Sequence, residues 1–98
     1  MEVEFSDKRF DQLETNPDFK AGFGQAVVKA YRRRMQQLRA ADDERDLYAL
    51  KSLHFEKLKG KRAHQRSVRL NDQWRLIVEI IPGRPKNRIR VWGIEDYH

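Results

Sequence analysis

The first residues of the chain change from a strand-like to a helix-like pattern of apolar side chains. Polar and apolar residues alternate over Glu2–Phe5, which is typical of a short edge strand. Either Ser6 or Asp7 can cap a helix that follows. Phe10 and Leu13 are spaced so that they share one face of that helix. The pattern therefore predicts a strand followed closely by a first helix.

The clearest predicted element is a second helix over roughly residues 19–41. Asn16 is a good cap, and Pro17 suits a first helical position, where its missing N–H would be unpaired, so this pair is expected to open the helix. Apolar side chains then recur every three or four positions, as on the buried face of an amphipathic helix. These positions are Phe23, Val27, Ala30, Tyr31, Arg34 or Met35, and Leu38. A further short helical turn is expected at 47–50.

The second half of the chain alternates with a period of about two residues, which indicates strands. The strands are predicted at 53–55, 67–70, 74–81 and 89–95, and the turns at 59–62, 71–72 and 82–85. Connections this short favour an antiparallel meander. We predict a single α+β domain over residues 1–98, in which two N-terminal helices pack on a small antiparallel sheet. Trp74 and Trp92 are expected in its core, and the alternative is that one of these rings contacts a base.

Charge is distributed unevenly along the chain. The whole sequence has a net charge of +6. Residues 57–90 contain eleven Lys and Arg against two acidic residues, a net charge of +9, so the remainder carries −3. Such segregation favours a polyanion-binding surface on the sheet face that the helices leave open. The alternative is a basic face that is simply solvated.

Several classes of protein do not fit the composition. The chain has no cysteine, so disulfide and thiolate chemistry are excluded. The first residues lack the basic-then-apolar pattern of a signal peptide, and no apolar run approaches the roughly 18 residues of a membrane span. His54, His64 and His98 have neither Cys partners nor close ligand spacing. We therefore expect a cytoplasmic protein without a metal or another cofactor.

Three blocks in the C-terminal half resemble one known family. Leu53–Gly60 is similar to the Leu-x-x-Leu-Lys-Gly stretch of HigB-like toxins, within the RelE/ParE superfamily. Ser67–Leu76 matches their Ser-Ile-Arg-Ile-Asn-Asp-Gln-Trp-Arg-Ile almost residue for residue, and Glu95–His98 matches their closing Glu-Asp-Tyr-His. The blocks occur in order at suitable spacing. One position departs from the pattern, because Glu56 stands where the family often has a His, and His54 lies two residues earlier.

The resemblance implies a RelE-like fold and the toxin of a type II toxin–antitoxin module. Such toxins enter the ribosomal A site and cleave mRNA there without a metal. The implied partners are the ribosome, mRNA and a cognate antitoxin with a helix-turn-helix, and operator DNA is reached only through that antitoxin. Carried over by position, the implied catalytic residues are Lys59, Arg75, Asp96, Tyr97 and His98.

These residue types suit metal-free RNA cleavage. Histidine can transfer protons near neutral pH because its unperturbed pKa is about 6.5. Arginine and lysine can stabilise negative charge that develops on a phosphate, and tyrosine can stack on a base or bind the ribose. Phosphate contacts are expected from basic residues on and around the 59–62 turn. The expected RNA-binding residues are Lys57, Lys61, Arg62, Arg66 and Arg69.

Two other functions are compatible with the same fold. A ParE-like inhibitor of DNA gyrase would share the architecture without nuclease activity, although ParE-like proteins generally lack the Asp-Tyr-His ending. A non-catalytic RNA- or ribosome-binding module would need only the basic surface. The leading hypothesis remains a ribosome-dependent mRNA endonuclease that inhibits translation.

Overall fold

The computed structural model describes residues 1–97. It contains three α-helices and five strands. In chain order these are β1 (Glu2–Phe5), α1 (Lys8–Thr15), α2 (Gln25–Ala40), α3 (Glu44–Ala49), β2 (Glu56–Lys57), β3 (Gln65–Arg69), β4 (Trp74–Ile81) and β5 (Arg88–Asp96). Short 3₁₀ turns at Lys51–Leu53 and Gly60–Arg62 flank β2.

The sheet has the order β1-β5-β4-β3-β2. Strands β2 to β5 form the predicted antiparallel meander. The prediction of a purely antiparallel sheet was wrong at one edge, because β1 pairs in parallel with β5. Parallel pairing needs a long crossover, and the three helices between β1 and the meander provide one. The expected edge strand Glu2–Phe5 is present as β1, and the prediction of two helices was incomplete because a third helix, α3, follows them.

The second helix begins later than predicted. Asn16 does not open α2 but ends α1, where its backbone N–H donates to the carbonyl of Gln12, and its side-chain oxygen accepts from the amide of Asp18 at 3.0 Å. Ala21 and Gly22 then take left-handed backbone conformations, with φ of 53° and 83°. A right-handed helix cannot continue through such residues. Residues 16–24 therefore form a loop, and α2 starts after it.

The third helix is longer than the single turn that was predicted. Asp43 caps α3 by accepting from the amide of Arg45, and Asp46 closes a reciprocal capping box. Leu47, on the inner face of this helix, is fully buried. Leu47 thereby joins α3 to the same hydrophobic core as α1 and α2.

All three helices pack on one face of the sheet. The residues without solvent exposure are Leu13, Tyr31, Met35, Leu38, Leu47, Leu53, Val68, Leu76, Val78, Ile89 and Val91. Tyr31 also donates its hydroxyl hydrogen to the carbonyl of Phe10 at 2.7 Å, which joins α2 to α1. This core fixes the helix-covered face, and the residues between the buried ones point to the opposite side.

One buried arginine connects α2 to the sheet. Arg34 is only 7% exposed, and its guanidinium donates to the carbonyls of Arg69 and Ser52 and to the side-chain oxygen of Gln37, at 2.9, 3.0 and 2.9 Å. Burial, with Arg33 and Arg69 nearby, lowers the pKa of Arg34 from its ordinary value. The charge is therefore held by hydrogen bonds rather than by a carboxylate, and it anchors the end of β3.

A bulge changes the register of the last strand. The pairing of β4 with β5 shifts between Ile77 and Val78, opposite Gly93. Gly93 has φ of 153°, and a Cβ there would lie 3.2 Å from a ring carbon of Phe10. Only glycine fits this conformation and this contact without strain. The bulge sets the direction in which β5 carries its final residues across the open face.

Candidate active-site cleft

The strand register brings separate parts of the chain together on the open face. Arg69 pairs with Arg75, Ser67 with Ile77, and Arg75 with Glu95 on its other side. Paired residues share a face, so these side chains form one surface across β3, β4 and β5. A cleft of about 310 Å³ lies there. It is lined by Leu58, Arg62, Ser67, Arg75, Ile77, Glu95, Asp96 and Tyr97.

The floor and the rim of the cleft differ in polarity. Ser67 and Ile77 are buried at 6% and 3% exposure and form the floor. Arg62, Glu95 and Tyr97 are exposed at the rim. A small floor with charged walls suits a polar ligand that is held at its edges, such as a phosphodiester.

Arg75 is held in the cleft by contacts on both sides. Its guanidinium donates to the backbone carbonyls of Asn71 and Trp74. It also lies 4.0 Å from the centre of the Tyr97 ring, a close cation–π contact. The side chain is thus fixed before any ligand arrives, with donor capacity left toward the cleft.

A second arginine lies directly opposite Arg75. Arg69 is its cross-strand partner on β3 and forms an ion pair with Asp72. Like charges facing each other across a ladder are unfavourable unless something offsets them. Arg69 does not itself line the cleft, and the carboxylate of Asp72 offsets its charge.

Gln73 holds the C-terminal end of the described chain. Its side-chain amide donates to Asp96 at 3.1 Å, and its carbonyl accepts from the Tyr97 amide at 2.6 Å. The pairing of Trp74 with Asp96 extends β5 to the edge of the cleft. These contacts place Tyr97, which is 60% exposed, against Arg75.

The opposite wall is a network around Arg62. Its guanidinium donates to Glu95 at 2.7 Å and to the side-chain oxygen of Gln65 at 2.8 Å. Arg62 is the last residue of the 3₁₀ turn Gly60–Arg62, and Leu58 before that turn also lines the cleft. Lys59, which precedes this turn, and Lys61, within it, are exposed, and neither of them lines the cleft.

Other predicted site residues lie elsewhere. Arg66 lies on the helix-covered side of β3, where its Nε is 3.4 Å from Glu44 of α3. Lys57 pairs with Arg66 and therefore shares that side. His54 is exposed at the end of a 3₁₀ turn and does not line the cleft. His98 lies outside the described residues.

Sequence reasoning did not single out several residues of the open face. Leu58, Ser67, Ile77 and Glu95 line the cleft although none was predicted to do so. Strand alternation was the available signal for Ser67 and Ile77, which lie two residues from Arg69 and Arg75. Trp92, expected in the core, is instead 38% exposed on this face.

The described residues show neither a metal-binding cluster nor a membrane helix. Within residues 1–97, no three His, Cys, Asp or Glu side chains come together in a way that could hold a metal ion. None of the helices in that range is long and apolar enough to cross a bilayer. The polar groups that line the cleft are guanidinium, carboxylate, the hydroxyl of Ser67 and the phenol of Tyr97.

The described residues thus form a sheet that helices cover on one face, with a polar cleft on the other. The YoeB/ParE toxin from Agrobacterium tumefaciens shares this fold, with a TM-score of 0.61 and 16% identity over all of both chains. A family model described as the RelE-like toxin of the type II toxin–antitoxin system HigB matches residues 3–90. The chain belongs to this HigB-like toxin family. It is thus a type II toxin, a class that has a cognate antitoxin. A search of curated proteins gave no match.

Proposed function

We propose that this toxin is a metal-independent endoribonuclease that cuts mRNA in the ribosomal A site and so inhibits translation. One observation carries the proposal: Arg75 lines a cleft whose edge is formed by Asp96 and Tyr97, and Arg69 is its cross-strand partner on β3. The guanidinium group of Arg75 suits a phosphate, and the phenol of Tyr97 suits a base or ribose.

The proposed reaction is an internal transfer at phosphorus. The ribose 2′-oxygen loses a proton and attacks the adjacent phosphorus, while the bond from phosphorus to the 5′-oxygen breaks. The products are a 2′,3′-cyclic phosphate and a 5′-hydroxyl, whose oxygen takes up a proton. Arg75 and Lys59 stabilise the extra negative charge on the pentacoordinate intermediate. This requires no metal, because the protein's own cations offset the charge.

The C-terminal residues supply positioning and proton transfer. Tyr97 stacks against a base or donates to the ribose, from a position that Arg75 and Gln73 fix. Asp96 orients the chain end. We assign proton transfer to His98, because an imidazole with a pKa of about 6.5 exchanges protons readily at neutral pH.

Binding outside the cleft follows from the distribution of charge. Lys61 and Arg62 on the exposed turn contact phosphates of mRNA or ribosomal RNA, which position the toxin without reading sequence. The antitoxin, a helix-turn-helix protein, covers this basic surface or blocks ribosome entry, and it alone brings the toxin to operator DNA. Both interactions take place in the cytoplasm.

A primer-extension assay on translated mRNA tests the proposal. The wild type is expected to cut within codons positioned in the A site, and Arg75→Ala is expected to lower the rate about 100- to 1000-fold. His98→Ala is expected to lower it comparably. Arg33→Ala is the matched control, because Arg33 is an exposed arginine of α2 on the opposite layer. It should cut like the wild type.

The outcomes separate this function from the other candidates. Equal cleavage by the wild type and an Arg75→Ala/His98→Ala double variant would exclude these residues. Inhibition of gyrase supercoiling by stoichiometric toxin, without mRNA cuts, would identify a ParE-like inhibitor instead. Ribosome binding without cleavage by the wild type would identify a non-catalytic module.

A further inference from the structure

The open face carries a second exposed aromatic side chain beyond the cleft. Trp92 on β5 is 38% exposed. Its indole N–H donates to Glu79 of β4 at 3.0 Å. An exposed tryptophan loses hydrophobic stabilisation, and its polar atom needs no such partner when water is available. The hydrogen bond therefore fixes the orientation of the ring while leaving part of its surface in solvent.

Two further side chains border the indole. The His64 ring lies 6.4 Å from it, centre to centre, at an angle of 78°. The guanidinium of Arg90 lies 6.0 Å from the ring centre. The indole thus forms a corner with a perpendicular imidazole and a nearby cation. A planar ring that stacks on the indole would have polar groups at its edges for hydrogen bonds.

This corner is continuous with the cleft. Trp92 precedes Glu95 by three residues on β5, a separation of roughly 10 Å along a strand. Gln65 pairs with Glu79 across the sheet and also accepts from Arg62, which lines the cleft. A chain of side chains on one sheet face therefore connects the two places. Roughly 10 Å corresponds to about three base-stacking steps of a nucleic-acid strand.

The charged side chains around Trp92 are paired with one another. Arg88 and Arg90 both form ion pairs with Glu4, each at 3.0 Å. Glu79 faces Arg90 across the sheet. Two cations and two carboxylates balance, so this part of the face attracts phosphate weakly. A ligand there would be held by stacking rather than by charge.

We propose that Trp92 forms a second base-binding subsite, where a base of the same RNA strand, a few nucleotides from the one in the cleft, stacks on the indole. The proposal rests on RNA being the substrate. It extends the contact from one nucleotide to a short single-stranded segment that lies across the open face. The fixed ring lowers the conformational entropy that the protein loses on binding.

Tryptophan fluorescence tests this directly, since the chain has only Trp74 and Trp92. In a Trp74→Phe protein the emission comes from Trp92 alone. An RNA tetranucleotide with 2′-O-methyl groups, which cannot be cleaved, is expected to quench that emission. A Trp92→Phe protein, which reports Trp74 beneath the sheet, should change little. If Trp74→Phe does not fold, the wild type labelled with 5-fluorotryptophan gives the same comparison by fluorine NMR.

Affinity and salt dependence identify the type of contact. Trp92→Ala is expected to weaken tetranucleotide binding about 5- to 100-fold, and Trp92→Phe much less, because stacking is the lost interaction. The slope of log affinity against log salt should stay unchanged in Trp92→Ala. In Lys61→Ala, which loses a phosphate contact, the slope should fall by about 0.7.

Three results would overturn the subsite. One is no change of Trp92 emission, or of its fluorine signal, at any concentration of the tetranucleotide. Another is an unchanged affinity for Trp92→Ala. The third is a Trp92 signal that responds to the antitoxin and not to RNA, which would make this corner a protein contact. The cleavage assay is independent of all three, so Trp92 quenching without any mRNA cuts would retain the subsite and reject the nuclease.

Discussion

The two faces of the sheet are built from the same strands but serve different purposes. On the helix-covered face, Val68, Leu76, Val78, Ile89 and Val91 have no solvent exposure. The residues next to them in sequence point to the open face, where Ser67, Arg75 and Ile77 line the cleft. Because strand side chains alternate, adjacent residues contribute either to stability or to the site. The comparison indicates that the two properties can be altered separately.

The open face also contains an arrangement that is unfavourable for folding. Arg69 and Arg75 are like charges in directly opposed positions. Asp72 and the Tyr97 ring offset this only in part, since both are exposed. The hydrophobic core on the buried face provides enough stability for the protein to fold despite the opposed Arg69 and Arg75. Sites that bind ligands often keep such local conflicts.

The largest difference in stability between the two faces is expected when the adjacent β4 residues Arg75 and Leu76 are each replaced by alanine. Leu76→Ala removes a fully buried side chain and is expected to lower the free energy of unfolding by about 2–5 kcal/mol. Arg75→Ala should change it by less than about 1 kcal/mol in either direction, because a like-charge neighbour is relieved as hydrogen bonds are lost. Urea denaturation of both variants measures this. Comparable losses of stability would contradict the separation of the two faces.

Much of this division could be predicted from the sequence. The alternation in residues 67–81 indicated the meander, and the resemblance of Ser67–Leu76 and Glu95–His98 indicated the family. The parallel pairing of β1 could not be predicted, because it depends on how the helical crossover returns the chain. The start of α2 was predicted too early because Asn16 was expected to cap this helix. In the structure Asn16 ends α1 instead, and its side chain accepts from the amide of Asp18 in the loop that follows.

The candidate site was less predictable than the fold. Motif positions identified Arg75, Asp96 and Tyr97, which do line the cleft. Composition alone placed Lys57 and Arg66 among the RNA-binding residues, yet both lie on the helix-covered side of the sheet. Net charge along a segment carries no information about which face each side chain takes. That assignment requires the register.

Arg34 is the buried cation on the helix-covered side of the sheet. Its replacement is expected to lower the free energy of unfolding by an intermediate amount. Arg34→Met fits the space but leaves the carbonyls of Arg69 and Ser52 without their donor. The expected loss is about 1–3 kcal/mol, with an unchanged dependence on urea concentration. Arg33→Met, at the exposed neighbouring position, should leave stability nearly unchanged. If both variants were equally stable, the hydrogen bonds of Arg34 would be irrelevant to the fold.

The smallest effect is expected at Glu4, where the open face meets the edge strand. Hydrogen bonds from Arg88 and then Arg90 lower the pKa of Glu4 below its ordinary value of 4.5. The ionised carboxylate therefore stabilises the folded state above that pH, and the contribution is lost as the pH falls from 4.5 through the lowered pKa. Glu4→Gln should lower the melting temperature slightly at neutral pH and not at all in acid, and added salt should shrink the difference. Glu2→Gln, on the same strand, is the control. If Glu4→Gln still melted at a lower temperature than the wild type below the pH range in which Glu4 titrates, Glu4 would act by packing. The pairing of β1 with β5 would then not depend on this charge.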